Sequence, residues 1–102
     1  MVVNKASNAR KESELSLAVA AELRAERGRA RVTIDELAAK TRGVSRGTLM
    51  KVLNGQVTAD VTQLDAICRA LGVRVIDIFL RAEEALAAAQ REPGPDMKVA
   101  GE

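Results

Sequence analysis

Between positions 46 and 54 the chain sets Arg46, Thr48, Lys51 and Asn54 among the apolar Leu49, Val52 and Leu53. These polar side chains are hydrogen-bond donors, and Arg46 and Lys51 also carry positive charge. An arginine can donate two parallel bonds to O6 and N7 of guanine, worth roughly 1–3 kcal/mol of discrimination between bases. Lysine and asparagine suit phosphate oxygens. This is the chemistry of recognition rather than of bond-making. The chain has no histidine, so general acid–base work and zinc ligation lose their usual residue. Its one cysteine, Cys68, falls on an apolar helical stripe with no histidine to activate it, and reads as a core thiol. No paired-cysteine zinc motif, phosphate-binding glycine loop or nucleophile elbow occurs. The chain is therefore expected to be no enzyme and to use neither metal nor cofactor.

The elements that must position these residues are legible in the stretch from Thr33 to Gly55. Thr33 and Glu36 form a capping-box pattern that opens a helix. Ile34, Leu37, Ala38 and Thr41 make its inward face. Gly43 supplies a turn, because glycine takes positive φ without steric cost. Ser45 caps the next helix. Leu49, Val52 and Leu53 point inward at i, i+3 and i+4, which leaves Arg46, Gly47, Met50, Lys51 and Asn54 outside. Asn54-Gly55 ends that helix with a turn signal. A helix of about ten residues is marginal alone, so its apolar face must be packed.

The rest of the chain supplies that packing. Helical spacing of Leu15, Val19 and Leu23, with Ala18 and Ala20, predicts a first helix over 13–27, stopped by Gly28. Arg29 and Arg31 then fall in a basic link. Asp60 and Gln63 form a second capping box, followed by Leu64, Ile67, Cys68 and Leu71 on one face and a stop at Gly72. A fifth helix is expected over 75–91, with Ile76, Phe79 and Leu80 inside, running on through an alanine-rich stretch until Pro93. Residues 1–11 read as a flexible basic arm carrying Lys5, Arg10 and Lys11. Such an arm could touch phosphates or the minor groove, although a frayed terminus is the preferred reading. Residues 92–102, with Pro93-Gly94-Pro95, read as a disordered tail.

The fold class is thus all-α: a compact five-helix bundle containing a helix-turn-helix, with an extended fifth helix, in one domain over residues 12–91. Composition agrees. Aromatic residues make up 1% of the chain, which disfavours sheet and the stacking platforms of single-strand nucleic-acid binding. Charge is unevenly placed. Residues 24–51 hold eight basic residues against three acids, whereas residues 59–102 hold five against eight. The positive half surrounds the helix pair. No apolar run reaches the roughly 18 residues of a membrane span. The start of the chain lacks a signal-peptide core, and a lone cysteine suits a reducing compartment. The expected location is the cytoplasm.

With LAAK at 37–40, GVSRGTL at 43–49, VLNG at 52–55, LDAICRALGV at 64–73 and DIF at 77–79, the chain resembles the lambda-repressor-like helix-turn-helix family, also called the Cro or Xre type. The resemblance covers about residues 17–80, and the order and spacing of the motifs carry it. It implies a bundle whose third helix lies in the major groove while the second crosses the backbone. On that basis Arg46, Gly47, Thr48 and Lys51 face base edges, while Thr33, Lys40, Arg42, Ser45 and Asn54 lie at phosphates. Three features depart from the family pattern. Ile34 stands where glutamine is usual, the turn between Ala38 and Gly43 holds one extra residue, and the fifth helix runs on.

The implied function is a sequence-specific double-stranded DNA-binding regulator. The expected mode is repression by promoter occlusion, as in a phage immunity repressor. The alternative is an antitoxin-like module that binds a partner protein as well as DNA. The implied partners are a double-stranded DNA operator and a second copy through the fifth helix. Because the outer half of that helix is mostly alanine and charge, a monomer or weak dimer is expected.

Overall fold

Good helix formers interrupted by capping residues account for an architecture of five helices joined by short turns. The computed structural model describes residues 13–91, so the expected arm over 1–11 and tail over 92–102 lie outside the described residues. The helices are α1 (Glu14–Ala30), α2 (Ile34–Lys40), α3 (Arg46–Leu53), α4 (Val61–Leu71) and α5 (Val75–Arg91). The described residues contain no strand.

Caps set most of the boundaries. Ser13 accepts from the Ser16 amide at the start of α1. Both expected capping boxes form. Thr33 Oγ1 accepts from the Glu36 amide while Glu36 Oε1 accepts from the Thr33 amide, and Asp60 and Gln63 exchange the equivalent pair. Each cap satisfies amides that the first helical turn leaves unpaired and contributes about 1 kcal/mol. Gly72 ends α4 in the left-handed region at φ 78°.

Each helix contributes one large side chain with no exposed surface: Leu23 from α1, Leu37 from α2, Leu49 from α3, Ile67 from α4 and Ile78 from α5. Burying each is worth about 1.5–3 kcal/mol. Val44 of the turn, Val52, Leu53, Leu64 and Cys68 complete the centre. Cys68 is buried as expected. Burial, then the charges of Asp65 and Glu26, push its thiol up to about 11, far from the range of a reactive thiolate.

Two expectations are corrected. α1 does not stop at Gly28; it runs on to Ala30, with Gly28 inside the helix. Its exit is held by Arg27, Arg29 and the Arg31 backbone. Arg29 pairs with Glu26 at 2.8 Å. Arg27 Nη1 donates to the Val32 carbonyl at 2.8 Å. Arg31, at φ 59°, takes the left-handed cap position and donates to the Arg27 and Gly28 carbonyls. Arg29 is therefore a helical residue in an ion pair, not part of a basic link.

The inner face of α5 is also rotated from the expected one. Ile78 and Ala82 are buried, with Val75 and Phe79 partly buried beside them, while Ile76 and Leu80 are 46% and 51% exposed. The long helices α1 and α5 form the most extensive helix pair. Ala82 of α5 is fully buried, and Arg81 Nη1 reaches Glu26 Oε2 of α1 at 2.7 Å. That pair links the two helices on the side where Ile78 and Ala82 are buried. No described helix is long and apolar enough to cross a membrane.

Candidate nucleic-acid interface

The candidate interface is built on α2, the turn after it and α3. Leu37 and Thr41 anchor α2 from below, and Thr41 Oγ1 donates back to the Leu37 carbonyl at 2.7 Å. The turn from Thr41 to Ser45 joins α2 to α3. Thr41 and Val44 turn inward there and are 4% and 7% exposed. Gly43 stands between them at φ 77°, a value that a side chain would strain. Arg42 and Gly43 are left outside.

Ser45 opens α3. Its Oγ accepts from the Thr48 amide and donates to Thr48 Oγ1, both at 3.1 Å. Leu49, Val52 and Leu53 lock the inner side of α3. Its C-terminus is fastened by α1, because Arg24 Nη1 donates to the Leu53 carbonyl at 2.6 Å. This satisfies one of the carbonyls that a helix end leaves unpaired. Gly55, at φ 75°, carries the chain out; a Cβ there would lie 3.0 Å from Leu17 Cδ2.

Of the residues expected to face bases, Arg46, Gly47 and Lys51 are exposed on α3 and Thr48 is half-buried. A Cβ at Gly47 would meet nothing within 4 Å, so protein packing does not require glycine there. Of the expected phosphate residues, Lys40, Arg42 and Asn54 are exposed. Thr33 and Ser45 are exposed but spend hydrogen bonds on their caps. The arm residues Lys5, Arg10 and Lys11 lie outside the described residues.

The basic stretch divides by use. Arg24 and Arg27 hold backbone carbonyls, and Arg29 holds Glu26. Arg31, Lys40, Arg42 and Lys51 make no ion pair among the described residues. Arg46 has a partner that sequence reasoning missed. Its Nε donates to Asp35 Oδ1 of α2 at 2.5 Å, and its Nη1 lies 3.4 Å from Met50 Sδ. An i, i+11 pair has no helical or strand signature, so no local pattern announces it. Lys40 and Arg42 also line a depression of about 500 Å³ with Thr62, Asp65 and Arg69 of α4.

Other chemistry finds little footing. Among the described residues no group of three or more histidine, cysteine, aspartate or glutamate side chains could hold a metal. A smaller pocket of about 60 Å³ lies between α1 and residues 57–59.

Comparison with known proteins agrees with this geometry. A family model described as a helix-turn-helix domain matches residues 10–77. Two crystal structures of the clp gene regulator ClgR from Corynebacterium glutamicum are similar. One is 35% identical with a TM-score of 0.65, covering 72% of this chain and 95% of that one. The other is 37% identical with a TM-score of 0.68, covering 80% and 88%. No curated protein matched. The chain belongs to the helix-turn-helix domain family. That motif is a DNA-binding one, and its two helices in this chain are α2 and α3.

Proposed function

We propose that this chain is a sequence-specific double-stranded DNA-binding transcriptional regulator of the lambda-repressor-like type, reading its operator with α3. One observation carries the reading: α3 is locked by Leu49, Val52 and Leu53 on one side while Arg46, Gly47 and Lys51 stand exposed on the other. Arg46, Gly47, Thr48 and Lys51 are assigned to base edges. Thr33, Lys40, Arg42, Ser45 and Asn54 are assigned to phosphates, and Lys5, Arg10 and Lys11 to arm contacts. Regulation follows from placement: a bundle seated over a promoter excludes polymerase, which gives repression.

Selection of bound duplexes from a random pool tests the reading. Binding to the recovered operator should weaken with salt, log K falling by about 0.9 per phosphate contact against log salt. Arg46→Ala should relax base preference, and Arg42→Ala should weaken all duplexes alike. An Arg46→Ala chain that keeps the wild-type preference overturns the assignment. ClgR is named as a clp gene regulator, so a clp promoter fragment is the first natural duplex to try and a phage immunity operator the second. Transcription in vitro that rises on adding the protein overturns occlusion.

A second reading rests on α5. Its 17 residues leave Ile76 and Leu80 outside the bundle, a surface that suits a weak homodimer or an antitoxin-like partner contact. A symmetric dimer would place two α3 helices about 34–36 Å apart, one turn of DNA. Co-purification of a small partner protein with the tagged chain distinguishes the antitoxin-like reading.

A further inference from the structure

The carboxylate of Asp35 stands at the positive end of α2 and holds the arginine at the start of α3. It lies in the most basic stretch of the chain, beside residues assigned to phosphate. An acid there repels DNA. Its pair with Arg46 contributes little to folding, because the Asp35 and Arg46 side chains are 79% and 54% exposed and such pairs are weak in water. Glu36, the neighbouring acid, is accounted for by its capping box. Asp35 makes no contact of that kind.

We propose that Asp35 is a specificity-determining residue that positions Arg46 for a base and keeps it off the backbone. With Nε held by Asp35 Oδ1, the guanidinium is oriented before DNA arrives, and less side-chain freedom is lost on binding. Nη1 and Nη2 remain as an end-on fork, the geometry that matches O6 and N7 of guanine. The thioether of Met50 near Nη1 is a weak acceptor that a base edge displaces. On a non-cognate duplex the arginine has no base to fork onto. To take a phosphate instead it must leave Asp35 or bring the carboxylate against the phosphate. Both effects widen the gap between cognate and non-cognate binding.

This inference rests on the DNA-binding reading, and its test separates the two. Anisotropy titrations of the full chain use the selected operator and a scrambled duplex at one salt concentration. For Asp35→Ala, affinity for the scrambled duplex should rise while operator affinity rises less or falls, cutting the ratio about tenfold. Asp35→Asn, which keeps an acceptor oxygen without charge, should retain part of the ratio. In an Arg46→Ala background, Asp35→Ala should leave the ratio within about twofold, because the aspartate acts through that arginine. A general charge effect gives the opposite result, with both affinities rising together and the ratio unchanged. That outcome overturns the role of Asp35 even when the wild-type preference depends on Arg46. A wild-type chain with no preference overturns the DNA reading and this inference with it.

Discussion

Arg24 of α1 donates to the carbonyl of Leu53, the last residue of α3, at 2.6 Å. The bond joins the longest contact surface of the bundle to the helix assigned to the groove. It turns a cation that would otherwise read as part of a basic surface into a clamp on that helix. Arg24→Met keeps most of the apolar stem and removes the donor. Stability should fall by about 1–2 kcal/mol, read as a lower denaturant midpoint at unchanged slope. Operator and scrambled duplexes should weaken together, since Arg24 acts through the rigidity of α3. An unchanged midpoint would show that water replaces the bond without loss.

Glu26 ties α1 to α5 through Arg81 at 2.7 Å and holds Arg29 at 2.8 Å. Burial pushes its carboxyl up, but the hydrogen bonds and charges of Arg29 and Arg81 outweigh that and hold it below the ordinary glutamate value. A carboxyl depressed in the folded state stabilises the fold above its unfolded pKa. That stability is lost as pH falls through the folded value. Thermal melts between pH 7 and 3 should therefore show the wild-type advantage over Glu26→Gln intact at neutral pH. The advantage should shrink below the ordinary carboxylate range, roughly pH 4 to 5. Parallel curves for the two proteins would remove Glu26 from the acid response.

Local chemistry made much of this bundle legible. Thr33 with Glu36, Asp60 with Gln63, Ser45, Gly43 and Gly72 each satisfy a requirement met within a few residues, and each is found as expected. The inward Leu49, Val52 and Leu53 follow because one face of a short helix has no other use. What escaped depends on contacts distant in sequence. Glu26 looks like a stray acid until Arg81 comes to it across α5. α1 passes through Gly28, and its exit is held by Arg27 reaching the Val32 carbonyl, Arg29 on Glu26 and the Arg31 amide. α5 carries Ile76, Ile78, Phe79 and Leu80 on several faces, and its docking on α1 decides which face is inside. Within the candidate site, exposure of Arg46, Gly47 and Lys51 was readable, whereas the partner of Arg46 was not, because Asp35 reaches it across the turn.

Gly47 separates folding from binding. It lies in the first turn of α3, and an added Cβ would meet no protein atom within 4 Å. Gly47→Ala should therefore stabilise the chain by about 0.5–1 kcal/mol through helix propensity. If the backbone of α3 approaches DNA closely at this point, the same methyl group weakens operator binding. The expected pattern is a higher melting temperature with at least severalfold lower operator affinity. Greater stability with unchanged affinity would make Gly47 a tolerated surface residue.

Ile76 and Leu80 lie one turn apart on α5 and stand half-exposed beside the buried line of Ile78 and Ala82. Two such side chains form a narrow seam, small against the roughly 800 Å² per partner of a standard interface. Self-association through this face should therefore be weak, detectable by sedimentation at tens of micromolar and absent at nanomolar concentration. Ile76→Glu with Leu80→Glu should abolish it. Because neither side chain is in the core, stability should change by less than about 0.5 kcal/mol per substitution. The variant also separates modes of DNA binding. If two copies bind together, operator titrations of the double variant lose cooperativity and affinity for a palindromic site while keeping affinity for a half-site. A tight dimer that survives both substitutions would place the contact elsewhere on the chain.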